Sequence, residues 1–476
     1  MAYRTFILSA VSALALSGCA VGPDRVSPSP PSPSATSGPF LSAQTDIVTA
    51  NPLPQDWWRL YEDPVLDGLV ADALGANTDI RQAVARMDRA RAALRGARSD
   101  RLPTVGLTAS AAYSRTPEFE TPPGADRTGT GISLGADVSY EVDLFGRVSG
   151  QISASRNDLA AAQADADAVR VMVVADTTLA YANAASAAAR IDVARSIVAL
   201  LDDSLRLTRR RHEVGMADGL AVARIQSLRD QRAATIPEIE AQRSAALFAL
   251  ATLTGRTPTE LPAISGERSI PLEIAAPLPV GDGTQLLARR PDVRAAEQRL
   301  LADTDRIGVA RADLYPRITL GGSVGSSASS VSNLFSGGPL GFILGPLIDW
   351  VFPNREPVFA RIDAAKADAR GSLAAFDGAI LNALQETETA LSRYAGAIER
   401  RRSLEQAMQA ATKAARITRA QNREGVIDSL DLLDAERTLA ETRAELADQD
   451  ALVSSRQIDL FRALGGSWSA EQETAS

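Results

Sequence analysis

Thiols, imidazoles and clustered carboxylates carry most side-chain chemistry, and this chain is sparing with the first two. Its 476 residues include one cysteine, Cys19, and one histidine, His212. Cys19 closes the stretch Leu16-Ser17-Gly18-Cys19. Before it lie Arg4 and a short apolar run from Phe6 to Leu16. A positive start, an apolar stretch too short to span a bilayer and two small residues describe an export signal. The last four residues match the bacterial lipobox. In that signal the thiol takes a diacylglyceryl group, cleavage occurs before the cysteine, and the new amine is acylated. Residues 1–18 are therefore expected to be a lipoprotein signal peptide, with Cys19 the lipidation (palmitate) site.

Other chemistry finds little support. His212 sits in the charged run Arg209 to Glu213, where a lone histidine is ordinarily solvated. One His and one Cys cannot build the usual zinc or iron site, so no metal and no cofactor is expected. No Ser-His-Asp set assembles around His212, and no Gly-rich loop ends in Lys-Ser/Thr. The 58 acidic residues leave carboxylate-pair hydrolysis open by count alone. No catalytic residue is assigned. The remaining cluster is "SLDLLDAER", where Leu430, Asp431, Asp434 and Arg437 are spaced three and four apart. On a helix they share a face, and Asp434 can pair with Arg437. On a solvated face such a pair contributes under about 1 kcal/mol.

Composition narrows what positions these residues. The formal net charge is −8, and removal of residues 1–18 takes Arg4 with it, leaving −9. A mildly acidic chain does not suit a nucleic-acid binder. Aromatics are only 5%, and alanine with frequent Arg, Asp and Glu suits long, closely packed helices. No later segment offers the roughly 18 consecutive apolar residues of a transmembrane helix. A membrane role then needs an anchor or a β-barrel.

Residues 19–54 include the Pro- and Ser-rich "SPSPPSPSATSGP" and are expected to form a lipidated tether. A helix is expected from about Asp79 to Arg98, ended by Pro103. The period then changes to two. Val105, Leu107, Ala109, Ala111 and Tyr113 alternate with polar or small residues, as do Ile132, Leu134, Ala136, Val138, Tyr140, Val142 and Leu144. These are strands with one apolar and one polar face, near the roughly 9–11 residues of a membrane-barrel strand. A half-buried soluble sheet shows the same alternation. Val148 to Arg211 is helical, and its 64 residues would reach roughly 100 Å. "VGMADG" breaks it, and helix returns from about Leu220 to Thr252. Residues Gly255 to Gly283 are expected to be irregular.

The chain then repeats. Asp79, Arg98 and Pro103 line up with Asp292, Arg311 and Pro316 at an offset of 213, and Gly215 and Leu220 with Gly425 and Leu430 at 210. The second half offers strands in "RITLGGSVG" and "GPLGFILGPLIDW", then a long helix from about Asn354 to Arg423. The expected organisation is a first repeat over 55–281, a second over 282–466, and a flexible tail, 467–476. Duplication at this length is one fold built twice.

The lipobox followed by "VGPD", then "LPQDWWRLYEDPVLDGLV", "ARADLYPRITLGGSVG" and "GVIDSLDLLDAERTLAETRAEL", resembles the outer membrane factor (TolC-like) family, in its OprM/NodT-type lipoprotein branch. The likeness runs along essentially the whole mature chain. It implies a mixed α and β fold: a homotrimer whose subunits each give four strands to one transmembrane β-barrel, continued by a long periplasmic α-helical barrel. It also implies the outer membrane, lipid contact, passive conduction, and an inner-membrane RND-type pump with a periplasmic adaptor (membrane fusion protein). Ala20 after the cysteine agrees, by similarity to enterobacterial sorting. By the same resemblance, the tips Gly215, Met216, Ala217, Gly425, Val426 and Ile427 meet the adaptor, and Leu430, Asp431, Asp434 and Arg437 form the periplasmic gate. The repeat partners of Asp431 and Asp434 are Ala221 and Arg224, so the acidic pair belongs to one half only. Alternatives are a type I secretion duct, or a non-channel coiled-coil scaffold lipoprotein.

Overall fold

The computed structural model describes residues 38–43, 46–336, 338, 340–427 and 429–466. The expected signal peptide, Cys19 and the tail 467–476 lie outside them. In chain order the elements are β1 (Val48–Thr49), α1 (Pro64–Ala76), α2 (Thr78–Ser99), β2 (Thr104–Arg115), β3 (Thr128–Val142), α3 (Arg147–Glu213), α4 (Gly219–Ala233) and α5 (Ile236–Leu253). Then come β4 (Leu278–Pro279), α6 (Gly283–Arg289), α7 (Pro291–Ala312), β5 (Arg317–Ala328), α8 (Val331–Leu334), β6 (Leu340–Asp349), α9 (Glu356–Arg423) and α10 (Ser429–Ala463).

The duplication is visible in the element bounds. α2 and α7 are each 22 residues, and β2 and β5 each 12, both pairs 213 apart. The long helices have 67 and 68 residues. The returning helix of the second half, α10, is unbroken over 35 residues. In the first half the expected single helix is two, α4 and α5, parted at Ala234 and Thr235. Pro237, in the first turn of α5, explains this: a proline lacks the N–H an inner helical turn needs. Its repeat partner is Ala447, which leaves α10 intact.

The chain divides into two compact units. One holds Arg86–Ala162 and Ala295–Phe376, and contains a four-stranded antiparallel sheet in the order β2-β3-β5-β6. The register sets Val105 opposite Val138, Val138 opposite Gly322 and Gly322 opposite Leu344, so one face carries the apolar residues of all four strands. That face is exposed at Leu107, Tyr113, Leu134, Leu320, Phe342 and Leu344. Gly106, Asp137, Ser323, Ser139 and Gly321 occupy the other face. There β6 departs from the expected alternation, since Ile343 and Leu347 are exposed on the polar side. Strands β2 and β6 are the edges of the sheet. Among the described residues no helix is long and apolar enough to cross a membrane.

The other unit holds the described residues up to Ala85, Gln163–Arg294, and Asp377 onward. Its core gathers Trp57, Leu66, Tyr181, Leu250, Leu278, Leu286, Leu391 and Phe461, with Trp57 stacked on Phe461 at 4.7 Å between ring centroids. Part of the stretch expected to be tether belongs here. Val48–Thr49 pairs in parallel with Leu278–Pro279, and Phe40, Ile47, Val48 and Leu53 are buried. Apolar residues spaced among the polar ones supply that burial, which the Pro/Ser composition masked. The stretch 255–283, expected to be irregular, contributes β4 and two 3-10 turns at Pro258–Glu260 and Ala263–Gly266.

One tie is built twice. Asn77, before α2, donates from Nδ2 to Leu253 O at 3.0 Å. Arg290, before α7 and 213 residues on, donates from Nη1 to Ala463 O at 2.8 Å. Leu253 and Ala463 end α5 and α10, where free carbonyls need donors. Gly255 and Gly465 follow at positive φ, where a Cβ would stand 2.7 Å from Ala76 O and 2.8 Å from Arg290 Cγ.

Candidate functional site: the helical tips and the face of α10

Both long helices end in the same way. Gly215 takes φ +75° and Gly425 φ +72°. Gly215 N–H donates to His212 O at 2.9 Å and Met216 N–H to Arg211 O at 2.7 Å. Gly425 N–H donates to Asn422 O at 3.1 Å and Val426 N–H to Gln421 O at 2.9 Å. This is the Schellman ending, which satisfies the last carbonyls through a left-handed residue that glycine adopts without strain. Asp218 then caps α4, accepting from Ala221 N–H at 2.8 Å. Its repeat partner, Asp428, lies outside the described residues. Val214, Met216 and Val426 are exposed.

Side chains reinforce the tips. The His212 ring contacts Ala217 O through Nδ1 at 2.8 Å. A carbonyl only accepts, so Nδ1 carries the proton. Asn422, its partner 210 residues on, donates from Nδ2 to Ile427 O at 3.3 Å. The histidine, expected to be merely solvated, thus braces the first turn. Arg211 joins the two tips: Nη1 donates to Asn422 Oδ1 at 2.7 Å, and Nη2 to Asn422 O at 2.6 Å and Arg423 O at 3.2 Å. A cation at the carbonyl end of α9 also suits the helix dipole. Between the tips lies a groove of about 560 Å³, with Arg211, Met216, Leu220, Arg224, Asn422 and Leu430 among its lining residues.

The start of α10 is two-faced. Leu432, Glu436, Leu439 and Ala440, at helical spacing, are buried within the chain. Leu430, Asp431, Asp434 and Arg437 are all exposed, Leu430 at 50%. Arg437 Nη2 donates to Asp434 Oδ1 at 3.1 Å, the pairing expected from the spacing. A leucine and two carboxylates thus lie exposed together on this face.

The buried side holds a pair not foreseen from the sequence. Arg419 on α9 donates to Glu436 through Nε (2.5 Å) and Nη2 (2.7 Å), and Glu436 is 1% exposed. That hydrogen bond to Glu436 holds the Arg419 guanidinium above its ordinary pKa. In the first hairpin the partner positions are Arg209 and Gln226, joined at 3.1 Å. A glutamate on the otherwise apolar stripe of 432, 439 and 440 was the available signal.

The chain thus combines long paired helices that reverse at exposed tips with an amphipathic antiparallel sheet whose edge strands each pair on one side only. Residues 69–256 and 283–466 match the family model described as outer membrane efflux protein, and the chain belongs to that family. It is 30% identical to the toluene efflux pump outer membrane protein TtgF of Pseudomonas putida, covering 98% of this chain and 97% of that one. It is also 30% identical to outer membrane protein OprJ of Pseudomonas aeruginosa, covering 96% and 94%. The solved outer-membrane channel OprN superposes with a TM-score of 0.87 at 34% identity, over 94% of this chain and all of that one. The two matched segments lie one in each half of the chain.

Proposed function

We propose that three copies of this chain close one β-barrel across the outer membrane, continued by an α-helical barrel in the periplasm. This duct passively conducts substrates delivered by an inner-membrane RND-type pump and a periplasmic adaptor. The observation that carries the trimer is the sheet. Its apolar face is exposed and its edge strands β2 and β6 each pair on one side only. In lipid, unpaired backbone groups cost several kcal/mol each, about the cost of any unmet polar group in hydrocarbon, so the edges need partners. Joining β6 of one copy to β2 of the next meets both needs.

In the periplasmic barrel, rings of Leu430, Asp431 and Asp434 from three copies narrow the duct, and Arg437 holds Asp434 in place. The exposed face of α10 and the Asp434–Arg437 pair support this gate. Gly215, Met216, Ala217, Gly425, Val426 and Ile427 are the adaptor-contacting tips, supported by their exposed turns. Adaptor engagement opens the gate. Lipid on Cys19 supplements the barrel as an anchor.

Photo-crosslinkers at Ala217 and Ile427 test the arrangement in cells. Capture of the adaptor from both positions is expected, with an extracted heat-sensitive trimer. Capture only from the strand connections at Thr121 or Asn333 would reverse the topology.

A further inference from the structure

The two repeats pass from sheet to long helix differently. In the first, Arg147 opens α3 and donates to Glu141 through Nε at 2.8 Å and Nη2 at 2.6 Å. In the second, the arginine before α9 is Arg355. Its guanidinium carbon lies 5.2 Å from the Trp350 ring centroid and 5.8 Å from that of Phe352. The two rings stack at 5.5 Å and 28°. The indole is oriented by its own donor, since Trp350 Nε1 donates to Leu314 O at 3.2 Å. Among the described residues no carboxylate pairs with Arg355, and its Nε is buried without a hydrogen-bond partner. One repeat neutralises its arginine with a carboxylate; the other lays it on two aromatic rings.

Val351, Phe352 and Phe359 are exposed around this arginine. The patch follows directly on β6, whose exposed Leu340, Phe342, Leu344 and Ile348 lie on the apolar face of the sheet. From Leu340 to Ile348 the strand advances about 27 Å at roughly 3.4 Å per residue, which at a barrel strand's tilt of roughly 40° is about 20 Å of height, and about 25 Å by Trp350. A membrane barrel's apolar band is roughly 25 Å tall and ends in an aromatic girdle. Trp350 and Phe352 therefore stand where hydrocarbon gives way to headgroups. A guanidinium forks onto phosphate oxygens, and a cation held over aromatic faces interacts more strongly as water is withdrawn. The exposed apolar residues alongside suit acyl chains.

We propose that Arg355, held by Trp350 and Phe352, is a binding site for the phosphate of a phospholipid in the periplasmic leaflet. This rests on the sheet being the membrane-spanning part of the duct.

The test titrates the full-length, detergent-purified protein with dioleoyl-phosphatidylglycerol and counts bound lipid by native mass spectrometry. Arg355→Ala should weaken binding about tenfold, the order expected for loss of one charge-assisted contact. Arg355→Lys should fall between, keeping charge and losing the fork, and Phe352→Ala should also weaken binding. Arg361→Ala is the control, because Arg361 is already paired with Asp313 at 3.1 Å. Unchanged lipid affinity in Arg355→Ala would overturn the site. So would displacement of the lipid by equimolar inorganic phosphate, which would make it a free-anion site. Unchanged affinity with loss of the oligomer in lipid-free detergent would make the patch a contact between copies. Channel conductance of the same wild-type preparation reports separately on the duct.

Discussion

Arg419 and Glu436 form a two-hydrogen-bond pair between the long helix and the returning helix of the second repeat, with the carboxylate almost wholly inside the chain. The first repeat does the same work with Arg209 and the neutral Gln226. The two halves differ in charge at one shared structural position, just behind the exposed Asp431 and Asp434.

Removing one partner of this pair should be costly. Glu436→Ala leaves Arg419 without its carboxylate partner, and since Arg419 is a third exposed the cost should be about 2 kcal/mol, below the roughly 3–5 of a fully buried pair. Glu436→Gln imitates the first repeat and should stay within about 1 kcal/mol of wild type. Denaturant unfolding followed by helical circular dichroism measures both. Equal loss in the two variants would show that charge, rather than hydrogen bonding, holds the hairpin.

The tips predict a backbone effect. Nothing stands within 4 Å of a Cβ built on Gly215 or Gly425, so Gly→Ala at either position costs only the left-handed conformation, about 1 kcal/mol. Hydrogen exchange should show faster opening at the last turn of α3 or α9 and little change elsewhere. Global destabilisation would mean that the turns carry packing absent from this chain.

A pH effect follows from Asp450. Burial raises its pKa, although Arg401 opposes the shift. Its folded pKa lies above its unfolded one, so ionising it costs stability above the folded value, and that cost fades as pH falls through it. Arg401 keeps its contacts with Glu273 and Glu405 when Asp450 is replaced. Asp450→Asn should therefore melt no lower than wild type at pH 7.5, with the difference shrinking toward pH 4. A lower melting temperature at pH 7.5 would make the Arg401–Asp450 contact dominant.

Much of this fold was legible because its signals are periodic. Alternation marked β2 and β3, and the offsets of 213 and 210 carried the boundaries of one half onto the other. What escaped was set by long-range contact. Ile47 and Val48 hide among polar residues, and only their pairing with Leu278 and burial with Trp57 reveal them. Pro237 was in view, yet its consequence depends on whether a helix continues past it. At the tips, the break at "VGMADG" and its repeat at Gly425 were evident in the sequence. The Arg211 tie to Asn422 needed two hairpins brought together, which spacing along one helix cannot show.

The lipid anchor yields a simpler expectation. Cys19→Ser should abolish fatty-acid labelling, because its thiol is the proposed acceptor, while leaving a partly retained, poorly processed protein in the membrane. Labelling that persists in the Cys19→Ser chain would place acylation elsewhere.

Conductance tests the account most directly. Wild-type protein reconstituted in planar bilayers should give discrete, small, cation-preferring steps. Asp431→Ala with Asp434→Ala should give larger steps with weaker cation preference, because the proposed acidic rings and the Asp434–Arg437 pair are gone. Unchanged steps in the double variant would remove the gate from these residues, and the absence of any step from either protein would contradict the duct itself.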